Sequence, residues 1–127
     1  CQYRNDVNPD REGSSLEAMV FIKQKLNGKK KGYIIDPPYS LNQLKTLYNE
    51  FIRGRGLYCV RLDSMIYWSK FKNMVAKDIE PGGICISFGW NSMGLGINRG
   101  FEQLEILLVP HGGSRNDTIV VVERKIK

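Results

Sequence analysis

Tyr33-Ile34-Ile35-Asp36-Pro37-Pro38-Tyr39 is the stretch on which the fold turns. Its first three residues are β-branched or aromatic, the kind of run that fills a buried strand. Pro37 and Pro38 stop the strand at once, because neither has an N–H to give to a ladder. Ser40 then caps a helix with Gln43 as its reciprocal partner, and Leu41, Leu44, Tyr48 and Phe51 form the apolar face. Asp36 therefore stands at the carboxyl end of a strand that feeds a helix. In an open α/β sheet, ligands bind beyond such ends. The prolines fix the backbone, so the Asp36 carboxylate and the Pro37 carbonyl aim at one point. Two acceptors converging there suit an amino group with two protons, and the Tyr39 ring beside them can stack on a flat base.

Upstream, residues 2–5 read as a short extended piece ending at Asp6, and Asn8-Pro9-Asp10 and Gly13 break regular structure. Residues 14–26 read as a helix, with Leu16, Met19, Val20 and Leu26 near helical spacing. Ser14-Ser15-Leu16-Glu17 is a capping-box pattern at its start, and Asn27-Gly28 ends it. Downstream, Arg53-Gly54-Arg55-Gly56 is a flexible basic loop. Asp63 or Ser64 starts a third helix that runs to about Asp78, with Trp68, Phe71, Val75 and Ile79 in one apolar stripe. Pro81-Gly82-Gly83 reads as a turn. Ile84-Cys85-Ile86-Ser87-Phe88 reads as a strand covered on both faces. An irregular glycine-rich loop follows, and residues 101–109 and 118–126 then make an antiparallel hairpin. The order of strands and helices predicts a parallel α/β sheet with right-handed crossovers and an antiparallel edge.

Composition sets the outer limits. The 127 residues fit one domain with a single core, and 42% hydrophobic with 25% charged residues describes an ordinary globular chain. No apolar run reaches the length of a membrane span, and no signal peptide is expected at the start. Cys1, Cys59 and Cys85 lack metal-ligand spacing, and His111 is the single histidine, so no metal site is expected and reduced thiols in a cytoplasm are the default. The formal charge of +6 suits an anionic partner such as nucleic acid. Cys85 inside a strand reads as core. His111 has no evident Ser or Cys partner, which argues against a hydrolytic triad. The oligomeric state is open.

Asp36-Pro37-Pro38-Tyr39 after a strand resembles motif IV of the amino-group DNA methyltransferases, in the form most typical of adenine N6 enzymes. Residues 81–88 resemble that family's turn and fifth strand, and the closing hairpin resembles its sixth and seventh. Gly89-Trp90-Asn91-Ser92, His111-Gly112-Gly113 and Asn116-Asp117 resemble phage-encoded members. The resemblance implies a Rossmann-like methyltransferase sheet, mostly parallel with a C-terminal antiparallel hairpin. It implies S-adenosylmethionine as methyl donor and DNA as partner, in the cytoplasm of a bacterial host. Carried over, Asp36 and Pro37 hold the target amine, Pro38 shapes the turn and Tyr39 stacks on a base flipped out of its helix.

For the donor, Asp6 resembles the acid that accepts bonds from the ribose hydroxyls, and it equally suits a turn before Asn8-Pro9. Glu17 resembles the acid that contacts the donor's adenine, and it also fits the reciprocal cap of Ser14. The family's glycine-rich first motif would precede residue 1, so the single domain spanning 1–127 is expected to be a fragment incomplete at its N-terminus and lacking the first strand, or to take that strand from a partner, or to have lost donor binding. The glycines of residues 94–100 do not replace it, since a phosphate cradle needs strand, loop and helix and this loop leads into a strand. Arg53, Arg55 and Arg99 fall in loops expected near the catalytic face, where they could touch phosphates or simply be solvated. Trp90 could line the donor or base pocket or pack at its rim. A catalytically silent methyltransferase-like module that binds nucleic acid or protein is the alternative reading. Methylation of RNA or of a protein glutamine is a third.

Overall fold

The computed structural model of the chain describes residues 22, 25, 30–37, 65–113 and 116–127. The chain divides into two compact units. One comprises Cys1–Leu26 and Ser40–Phe71, the other Asn27–Tyr39 and Lys72–Lys127. In the first, Ile22 is helical and buried, Lys25 is helical and exposed, and the rings of Trp68 and Phe71 meet edge to face with centroids 5.5 Å apart. The extended piece at residues 2–5, the rest of the helix expected over 14–26 and the helix expected from Ser40 lie outside the described residues.

The second unit carries a four-stranded sheet in the order β1-β2-β4-β3, from β1 (Lys30–Ile35), β2 (Ile79–Gly89), β3 (Phe101–Val109) and β4 (Thr118–Lys125). β1 and β2 are adjacent and parallel, Tyr33 opposite Cys85 and Ile35 opposite Ser87. β4 lies antiparallel to both β2 and β3. The expected neighbours and the expected hairpin are therefore present. The expectation of a mostly parallel sheet needs correction, since only one of the three pairings among the described residues is parallel. A parallel pair needs a long crossover, which residues 36–78 supply between β1 and β2; β3 and β4 are joined by a short loop and can only run antiparallel.

Helix α1 (Met65–Asp78) holds fourteen residues without Pro or Gly and starts within two residues of the expected cap. Its last carbonyls would be orphaned, and Lys125 of β4 meets that need: its Nζ donates to the Ala76 oxygen at 2.6 Å and to the Ile79 oxygen at 2.5 Å. A cation there also opposes the helix dipole. β2 begins at the next residue with no intervening turn. The expected turn at Pro81-Gly82-Gly83 is instead a bulge inside β2: between two paired positions, two steps on β1 face five on β2, with Gly82 at φ 83°.

Tyr33, Cys85 and Glu123 are cross-strand neighbours and share one face of the sheet. That face looks toward α1, because the Tyr33 hydroxyl donates to the buried Asp78 carboxylate at 2.5 Å. Burial, and then Asp78, hold the Tyr33 phenol well above its usual 10.0, and burial first of all pushes the Cys85 thiol from 9.0 up to about 12. Both groups keep protons in the folded state that the unfolded chain releases sooner. Their stability contribution is complete below 10.0 for Tyr33 and below 9.0 for Cys85, and is lost as pH rises beyond. Lys72 acts oppositely: burial, then Arg99, lowers its ammonium below 10.5, so its contribution is present above that value and lost as pH falls through its folded value. Thermal melts across the alkaline range should show stability declining from near pH 9, and Cys85→Ala should move the onset toward 10. An unchanged onset in the variant would disprove the assignment to the thiol.

Candidate functional site

Parallel pairing brings the carboxyl ends of β1 and β2 to one edge of the sheet. Asp36, exposed, and Pro37, half-buried, leave β1 there, and Trp90, 39% exposed, leaves β2 beside them. Gly89 pairs with Ile119 and Val109 with Thr118, so the β3–β4 loop turns at the same edge. Within that loop the His111 amide donates to Asp117 Oδ1 at 3.0 Å, and His111 Nε2 lies 2.8 Å from Thr118 Oγ1. His111 is thus engaged in closing the hairpin. The edge offers an exposed carboxylate, a proline-fixed backbone and an indole, a set that can accept hydrogen bonds from an amine and face a planar group.

Pro38, Tyr39, Asp6, Glu17, Arg53 and Arg55 lie outside the described residues. Arg99 is described, and its expected position near the catalytic face needs correction. β3 runs parallel to β1 and β2, because β4 lies antiparallel between it and β2. Arg99 shortly precedes β3 and so stands at the amino-terminal edge, opposite Asp36. Its Nε donates to Asn73 Oδ1 at 2.7 Å and its Nη1 to the Leu95 oxygen at 2.9 Å.

Residues 90–100 cross the α1 face of the sheet between the two edges. A side chain that the sequence reading passed over anchors them: Glu123, 2% exposed, accepts from the Leu95 amide at 2.6 Å and from the Gly96 amide at 2.8 Å. Lys72 Nζ donates to the Gly94 oxygen at 2.6 Å. Gly94 has φ 47°, and a Cβ there would collide with the Glu123 carboxylate. The loop amides that could have cradled a ligand phosphate are occupied by the protein's own carboxylate, which is the physical reason the glycines of this loop are not a donor motif. Strand parity carried the signal: Glu123 follows the apolar run of residues 119–122 and falls on the same face as Val121. Cys85 is fully buried, and with its thiol pushed up to about 12 it is no nucleophile near neutrality.

No protein-family model and no curated protein sequence matches the chain. Among solved structures it superposes on a protein of Thermus thermophilus provisionally named a DNA modification methylase, at TM-score 0.54 and 11% identity, covering 98% of this chain and 55% of that one. The selenomethionine derivative of the same protein gives TM-score 0.50 and 11% identity over 87% of this chain and 51% of that one. A provisionally named methylase of Haemophilus influenzae aligns at 10% identity over 89% and 49% of the two chains with TM-score 0.44, too low to bear on the fold. The chain spans about half the length of these proteins. At such identity the likeness is one of fold: the chain has a methyltransferase-like α/β fold with a mixed sheet.

Proposed function

We propose that the chain is the catalytic part of an S-adenosylmethionine-dependent methyltransferase acting on the exocyclic amino group of a DNA base, adenine N6 first, in the cytoplasm of a phage-infected or bacterial cell. The observation that carries this reading is the position of Asp36-Pro37, at the carboxyl edge of the parallel pair β1 and β2 in a methyltransferase-like fold.

The Asp36 carboxylate is exposed at the ligand edge, and Asp6, Glu17 and Asp36 are the residues proposed to hold the donor. When bound, S-adenosylmethionine supplies an electrophilic methyl group. Asp36 and the Pro37 carbonyl accept hydrogen bonds from the two amine N–H groups and so hold the nitrogen toward the methyl group. Their partial negative charge would raise electron density on nitrogen, whose lone pair would form the N–C bond as the donor's S–C bond breaks and its electron pair stays on sulfur as a neutral thioether. The proton that nitrogen must lose passes to the Asp36 carboxylate or through it to water. Pro38 fixes the turn, and Tyr39 stacks on the flipped base, which is worth roughly 1–3 kcal/mol. Arg53 and Arg55 are proposed to meet phosphates along the same path.

The test is transfer of a labelled methyl group from S-adenosylmethionine to unmethylated DNA by the full encoded protein, with RNA and protein acceptors alongside. Label is expected in DNA. Tyr39→Ala should cut transfer by roughly 10-fold or more, while Tyr39→Phe, which keeps the ring face, should be mild. Label in RNA or protein alone would redirect the substrate claim. No transfer to any acceptor would leave a silent binding module as the better account.

A further inference from the structure

At the amino-terminal edge of β1 and β2, the end of α1, the turn Ile97–Arg99 and the end of β4 enclose an open cleft of about 370 Å3. Four of its seven lining residues carry cationic side chains, Lys77, Arg99, Lys125 and Lys127, and no lining side chain is a carboxylate. Lys125 and Arg99 have internal partners, among them carbonyl and amide oxygens, which carry partial charge only. The carboxyl end of α1 adds only about half a negative charge, so among the lining side chains positive charge predominates. Lys72, just behind them, registers the crowding: after burial, the Arg99 cation is what most lowers its ammonium. Asn73 commits its amide oxygen to Arg99, which turns its N–H2 end into the remaining donor, and Asn98 lies exposed across the cleft.

Arg99 and Lys125, held by the fold, with the exposed Lys77 and Lys127 and the amide donors beside them, make an open cationic cleft that matches a tetrahedral oxyanion. We infer that this cleft binds a phosphate of a nucleic-acid backbone, at a place separate from the edge that holds Asp36. β1 has six residues, so the two edges lie roughly 20 Å apart. One nucleotide cannot reach both, and the phosphate in the cleft belongs to a distal stretch or a second strand. The inference shares with the proposed function only the nucleic-acid partner, and its test needs no methyl transfer.

The experiment measures binding of the full chain to a fluorescent DNA duplex by anisotropy, across salt from about 50 to about 200 mM. Lys77 and Asn98 are exposed and lack structural hydrogen bonds among the described residues, so Lys77→Gln and Asn98→Asp probe the cleft without disturbing Arg99 or Lys125. Lys77→Gln should weaken binding to unrelated sequences equally and lower the slope of log affinity against log salt by about one. Asn98→Asp should weaken binding in the same sequence-independent way. Melting temperatures should match the wild type. Wild-type affinity and slope in both variants would overturn the inference. Calorimetry with inorganic phosphate separates the sources: tight phosphate binding that Lys77→Gln removes, with DNA affinity unchanged, would assign the cleft to a free anion and also overturn it.

Discussion

Asp36→Ala should cut methyl transfer by roughly 10- to 150-fold or more while the protein stays folded. Asp36 is exposed and follows the last residue of β1, so its loss uncovers no core and breaks no ladder bond. Its charge-assisted bond to the target amine is worth about 1.5–3 kcal/mol. Because that bond strengthens as nitrogen gains positive charge, most of the loss falls on the transition state and therefore on kcat. Asp36→Asn keeps one acceptor oxygen but cannot take the proton, so it should fall between the alanine variant and the wild type. Labelled-methyl transfer under saturating donor separates these outcomes. Full activity in Asp36→Ala would refute the mechanism.

Glu123→Ala should produce the largest loss of stability. It strips the acceptor from two amides and leaves Lys72 facing the Gly94 oxygen without the buried carboxylate. A buried donor without a partner costs about 1–3 kcal/mol, so the variant should lose roughly 3–5 kcal/mol in all. For a chain of this size that corresponds to a fall of about 10–20 °C in Tm. Glu123→Gln, which retains one carbonyl oxygen, should lose less. Gly94→Ala should also destabilise, through its φ of 47° and the clash of a Cβ with the carboxylate. Differential scanning calorimetry checks the series. If Glu123→Ala melts with the wild type, the loop is held by something other than this carboxylate.

How far the sequence could be read depended on the range of the contacts involved. The parallel pair was legible because Tyr33-Ile34-Ile35 ends on two prolines and the next strand comes only after a long helical segment. The hairpin was legible because eight polar or turn-forming residues separate two apolar runs. Pro81-Gly82-Gly83 was misread because a bulge and a turn use the same residues, and only the pairing of Lys30 with Ile79 tells them apart. Arg99 was placed at the wrong edge because its position follows from β4 lying between β2 and β3, which no local pattern states. Glu123 escaped notice because its partners are backbone amides of a distant loop, and backbone donors leave no mark in a sequence. Of the candidate site, Asp36 and Pro37 follow the carboxyl end of β1, and their roles stand as proposals. The donor residues Asp6 and Glu17 and the stacking residue Tyr39 lie outside the described residues and stand as proposals.

The central claim is that Asp36 and Pro37 present an amino nitrogen, and not a ring carbon, to the methyl group. Methylation of a cytosine ring carbon needs a nucleophile to activate the ring, and Cys85, the one cysteine among the described residues, is buried with its thiol pushed up to about 12. The most direct measurement is mass analysis of the nucleosides released from DNA that the full protein has methylated. The account predicts N6-methyladenine as the product, and far less of it when Asp36 is alanine. Methyl groups found on cytosine C5, or N6-methyladenine formed equally well by Asp36→Ala, would contradict it.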